Sequence, residues 1–192
     1  MDTHRNSQGR ENNYAHPKTT TGQSDRHPLL PLSFLCWEAR CVRRAFLCGE
    51  DALTGQSYEH RRGWVEARLL LLSSVFSIKV CSYAVMSNHT HTVLHVDEEQ
   101  AQNWSIHDVL ERWHRLHKGT LFTQQYVKGE LLPDFTLALV ESSAEVYRNR
   151  LMDISWFMKE LNEPIARQAN IEDACTGRLY SCHFMPLTLR AS

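Results

Sequence analysis

Two short runs constrain this chain more than any other stretch. Ile78 to Met86 and His89 to Val96 alternate and are rich in β-branched and aromatic residues, and only Ser87-Asn88 separates them. Alternating runs joined by two turn-forming residues predict a β-hairpin. Helical periods surround it. From Ser57 to Phe76, Trp64, Val65, Arg68, Leu69, Leu72, Val75 and Phe76 recur at spacings of three and four, with Ser57 as the expected N-cap. Ser105-Ile-His-Asp108 reads as a capping box that opens a helix toward His117, and Gly119 ends it. Leu131 to Val140 reads as loop and short strand. Ser143 to Ala169 is a long helical pattern that Pro164 is expected to split in two. Upstream, Pro31 interrupts a possible strand over Leu29 to Phe34, and Arg40 to Gly49 is strand-like and ends on a glycine. Strand, helix, hairpin, helix predicts an α+β fold, an antiparallel sheet with helices packed on one face.

Composition sets the limits. Residues 1–28 are polar and nearly free of large aliphatics, so they read as a disordered or non-native tail. Residues 29–178 read as one domain, and residues 179–192 as an irregular C-terminal tail. In 192 residues the net charge is only −1, so any DNA binding must come from local basic clusters. No run approaches the roughly 18 apolar residues of a membrane span. The N-terminus lacks the basic start and apolar core of a secretory signal. The six cysteines show no CxxC pair, which predicts free thiols in a reducing cytoplasm.

The hairpin carries the candidate chemistry. Residues two apart on a strand share a face, so His89 and His91 present two imidazoles about 6–7 Å apart at the backbone. Both can reach one divalent ion, with a carboxylate or amide from another element as third ligand. The plainer reading, two half-exposed sheet residues, stands beside it, because His95 shows that the chain is rich in histidine. Zinc is a further option, but no Cys/His cluster has the spacing to complete such a site.

The string YAVMSNHTHTVLHVD closely resembles the signature of the HUH single-strand transposases, the single-tyrosine type that includes REP-associated tyrosine transposases. Only the proline of Met-Pro-Asn-His-x-His is replaced, by Ser87. The segments CVRRAFLCG, TGQSYEHRRGWVEARL and ISWFMKELNEPIARQAN followed by CTGR are similar to that family in the same order, over about Arg40 to Arg178. The resemblance implies a ferredoxin-like fold, Mg2+ or Mn2+ held by His89 and His91, and single-stranded or hairpin DNA as partner. It also implies a homodimer and a cytoplasmic, nucleoid-associated location. The activity implied is nicking and rejoining of DNA at hairpins by metal-assisted tyrosine transesterification, in which covalent catalysis splits the exchange into two steps. Arg43, Arg44, Asn162, Arg167 and Arg178 fall where DNA contacts are implied. For Arg43 and Arg44 a solvated strand end is an equal reading, and for Asn162 and Arg167 an ordinary helix face. Arg112, Arg115 and Lys118 form a possible basic stripe, which favourable charge at a helix C-terminus explains equally well.

The family pattern continues to a helix that bears the nucleophilic tyrosine and usually the third metal ligand. Here the text reads LYSCHFMPLTLRAS, and Tyr180 stands in the wrong motif to be that nucleophile. The resemblance therefore implies a copy truncated or frameshifted at both ends, inactive in strand transfer. The alternative is a non-catalytic remnant or repressor that binds hairpin DNA.

Overall fold

The computed structural model describes residues 34–41, 46–176 and 180–185. The expected N-terminal tail over residues 1–28 lies outside the described residues, as do Arg43, Arg44 and Arg178. Four strands form one antiparallel sheet: β1 (Phe34–Cys41), β2 (Ile78–Val85), β3 (His89–Val96) and β4 (Tyr180–Met185), in the order β2-β3-β1-β4. A long helix α1 (His60–Val75) connects β1 to β2. Five helices lie between β3 and β4: α2 (Glu98–Gln102), α3 (Ile106–His114), α4 (Leu121–Val127), α5 (Asp134–Met152) and α6 (Ile154–Glu172). The fold is α+β. Its strand order is that of the split βαβ, ferredoxin-like arrangement, with the second crossover expanded to five helices. None of the described helices is long and apolar enough to cross a membrane.

The hairpin forms where the alternation places it. Met86 N–H donates to His89 O at 2.8 Å across the Ser87-Asn88 turn. The β2/β3 register shifts once, between Val80 and Ser82, a bulge that takes up one residue. On β3, Thr90, Thr92 and Leu94 are buried, while His89, His91, Val93 and His95 are half-buried. Thr92 lies 4.0 Å from Met158 Sδ of α6, and Leu94 and Ala39 join the core formed by Val65, Leu69 and Leu72 of α1 and Phe157 and Leu161 of α6. The helices therefore pack on the even-numbered face of β3. Its odd-numbered face is the polar one.

The capping box is present: Ser105 Oγ accepts from Asp108 N–H at 3.1 Å, and Asp108 Oδ2 accepts from Ser105 N–H at 3.0 Å. Gly119 has φ +68°, and a Cβ there would meet His114 Nε2 at 2.5 Å, so only glycine fits this turn. Four expectations are corrected. The cap of α1 is Glu59, without a side-chain cap bond, and Ser57 Oγ accepts from Glu59 N–H one step outside the helix. Leu131 to Val140 is not a strand: α5 begins at Asp134 behind Pro133, because Val140, Ala144, Tyr147 and Leu151 make a buried helical stripe. The break between the last two helices falls at Asp153, not Pro164. Asp153 caps α6 by accepting from Trp156 N–H at 3.0 Å. Pro164 stays inside α6: it has no N–H for the carbonyl four residues back, and Arg68 Nε donates to that carbonyl, Glu160 O, at 2.7 Å. Finally, Tyr180–Met185, inside the stretch read as an irregular tail, is an edge strand paired with β1. Its pairing is long-range, which no local period signals.

Candidate metal centre

β1 and β3 run antiparallel, with Glu38 opposite His91 and Arg40 opposite His89. Directly opposed residues share a face of the sheet. Four polar side chains are thus gathered on the polar face by register alone. One ligand atom each from Glu38, His89 and His91 lie within 4.8 Å of one another. The two imidazole rings are 5.0 Å apart at their centroids and nearly perpendicular, at 85°. Ligands on one ion with bonds of about 2.0–2.2 Å sit closer together than this, so small χ rotations close the set. On its far side β1 pairs with β4, where His183 is the register partner of Glu38.

The surroundings position these side chains. His89 Nδ1 lies 2.6 Å from Asn88 Oδ1. A donating Nδ1–H holds the tautomer whose lone pair is on Nε2, which is how metal-binding histidines are oriented in general. Asn88 O also accepts from Cys41 N–H at 2.7 Å, and Ser87 O from Leu47 N–H at 2.6 Å, tying the turn to the segment that follows β1. Glu38 is buried, 6 % exposed, and its Oε1 accepts from Arg40 Nε at 3.2 Å and from Arg40 Nη2 at 3.1 Å. The Arg40 hydrogen bond holds the Glu38 carboxyl below its usual value, against the opposing effect of burial, with help from the charges of Arg40, His91 and His89. The carboxylate is therefore ionised and ready as a ligand. Two imidazoles and a carboxylate fit a divalent first-row ion and leave positions open for substrate oxygens.

The sequence expectations divide here. His89 and His91 come together with a third donor. That donor is Glu38 on β1, which the sequence reading missed because it placed Leu29–Phe34 and Arg40–Gly49 in separate runs and left Glu38 between them. The signal was Glu38 and Arg40 at i and i+2 in FLCWEARC, which becomes meaningful once β1 is known to span Phe34–Cys41. Asn88, read as turn chemistry, also hydrogen-bonds His89 through Oδ1. Asn162 is buried on α6, 8 % exposed. Arg167 is exposed and pairs with Glu163 one turn away. It lines a groove of about 630 Å3 with Arg68, His117, Lys159 and Glu160. Arg112 and Arg115 donate to Ser74 O at 2.9 and 3.2 Å, so they cap the C-terminus of α1 and form no open basic stripe. Phe157 is core, and half-buried Trp156 carries Arg150 and Lys159 over its ring, at 4.5 and 4.7 Å.

Four tyrosines other than Tyr180 are described, and none stands on the polar face beside Glu38. Tyr58 stacks on Phe46, and Tyr147 stacks on Trp113 in the helical core. Tyr83 is the register partner of Thr92, on the helix-side register, and Tyr126 belongs to α4. The backbone of Tyr180 pairs with Cys41, out of phase with positions 38 and 40. The cysteines whose side chains are described, Cys36, Cys41, Cys48, Cys81 and Cys175, are free thiols, and burial pushes the Cys41 thiol up to about 12. Comparison with protein-family models, with curated proteins and with solved structures finds no match.

Proposed function

We propose that this chain is a metal-dependent DNA-binding domain of the HUH type, which grips a phosphodiester of single-stranded or hairpin DNA on the polar face of its sheet. The observation that carries the reading is the convergence of Glu38, His89 and His91 within 4.8 Å. A bound divalent ion supplies Lewis-acid polarisation of a phosphoryl oxygen. Everything else belongs to the protein. The hairpin turn sets His89 and His91 side by side, Asn88 selects the tautomer of His89, and β1 delivers an ionised carboxylate. Imidazole-rich sets favour Mn2+ over Mg2+, which prefers an all-oxygen shell. Strand transfer needs a nucleophile, and none of the tyrosines whose side chains are described shares this face. That placement favours the binding module over the transesterase.

The test uses the full chain, MnCl2 and a fluorescent hairpin oligonucleotide with a single-stranded tail. The expected result is DNA affinity that rises with Mn2+, falls with EDTA, and yields no covalent adduct on denaturing gels. The H89A/H91A double variant should lose Mn2+ binding, because one carboxylate cannot hold the ion alone. Undiminished Mn2+ affinity in that variant would sink the proposal. A covalent adduct would restore the transesterase reading.

A further inference from the structure

We infer that Arg40 is the phosphate-binding residue of this site, holding one non-bridging oxygen of the phosphodiester while the metal side engages another. This rests on the reading of Glu38, His89 and His91 as the metal centre.

Arg40 spends only two N–H groups on Glu38, one from Nε and one from Nη2, and both go to the same oxygen, Oε1. Among the described residues, Oε2 accepts no hydrogen bond, so it is the oxygen left for an ion. A guanidinium has five N–H donors, so three have no partner among the described residues, and 59 % of this side chain is exposed. Register fixes where they are: Arg40 sits opposite His89 and two residues along from Glu38, at the rim of the three-ligand set.

Charge then decides the ligand class. The two imidazoles bind an ion as neutral ligands, and Glu38 contributes one negative charge. A divalent ion beside Arg40 therefore leaves the cluster positive overall. An arginine placed next to a cation site is repulsive until an anion bridges the two. A phosphodiester does this, with one non-bridging oxygen for each cation, and a planar guanidinium fork suits it. Arg40 thus has two tasks at once: it holds Glu38 through Oε1 and presents its outer N–H groups to phosphate.

The experiment separates these tasks from a purely structural role. Mn2+ binding is measured by electron paramagnetic resonance of the free ion, and hairpin DNA binding by fluorescence anisotropy at saturating Mn2+. Both are run on the wild type, R40K and R40Q, with melting temperature as the check on folding. For R40Q the expected result is Mn2+ affinity equal to or tighter than wild type, with DNA affinity about tenfold weaker, the size of one lost charge-assisted hydrogen bond. R40K, which keeps the charge but loses the fork, should fall between. Mn2+ affinity reduced about tenfold in R40Q, with DNA affinity falling only in proportion, would show that Arg40 merely orients Glu38 and overturn the inference. Unchanged DNA affinity would overturn it too. A wild type that binds no Mn2+ refutes the metal centre itself, and this inference with it.

Discussion

Two ionic clusters in this molecule are built from the same residue types and behave as opposites. On the helical side, Arg61 is fully buried, and four of its five guanidinium N–H groups are engaged. It donates to Glu172 at 2.9 Å, to Phe46 O at 2.8 Å and to both oxygens of Asp173, and lies over the Tyr58 ring at 4.4 Å. On the polar face, Arg40 uses two donors on one oxygen of Glu38, and the lone pairs of two neighbouring imidazoles converge on the same space. The first cluster is nearly closed: it clasps the end of α6 to α1 with most of its donors engaged inside the protein. Among the described residues, the second keeps spare donors and spare lone pairs. Near-complete satisfaction marks a structural ion cluster, and unused valence held in place marks a candidate site.

The largest effect is expected at Arg61. Arg61→Leu leaves Asp173 without Arg61 and Glu172 with His60 alone, and should lower stability by about 3 kcal/mol in chemical denaturation. A loss under 1 kcal/mol would show that the clasp is not structural. Gly119→Ala comes next, at about 2 kcal/mol by thermal unfolding, since the residue must hold positive φ and would press on His114. Arg68→Leu removes the donor that satisfies Glu160 O behind Pro164, and should cost about 1–3 kcal/mol, with α6 exchanging amide hydrogens faster around that carbonyl. The same corner of the helical side responds to pH. Burial pushes His114 below its usual value. The unfolded chain then takes up the proton first as pH drops below about 6.5, so stability should fall with acidification in that window. His114→Gln should flatten the slope in a series of melts. The smallest effect is expected where the function is proposed. H89A/H91A should change stability by less than about 1 kcal/mol while abolishing Mn2+ binding, because both side chains are half-buried and support no core. A large loss of stability there would erase the distinction between the two clusters.

How much was legible beforehand follows the range of the forces involved. The hairpin, its turn and the shared face of His89 and His91 are consequences of a two-residue period, which any strand obeys. The Ser105 capping box was legible for the same reason: all its bonds close within one turn. Pro164 misled because a missing N–H is a local fact, whereas its remedy, Arg68, lies 96 positions earlier in the chain on α1. Tyr180–Met185 misled because an edge strand takes its shape from its neighbour. The C-terminal half-turn of α1 attracts Arg112 and Arg115 from α3, so a stripe that suggested a phosphate backbone finds carbonyls instead.

By itself the sequence determined the α+β class, the hairpin and two imidazoles on one face, because steric and hydrogen-bonding preferences act over a few bonds. Only the tertiary structure decided that Glu38 stands opposite His91 and Arg40 opposite His89. That choice depends on which strand pairs with β3 and in what register. Both are set by burying Ala39, Thr92 and Leu94 beneath α1 and α6, and no residue of the site itself specifies them.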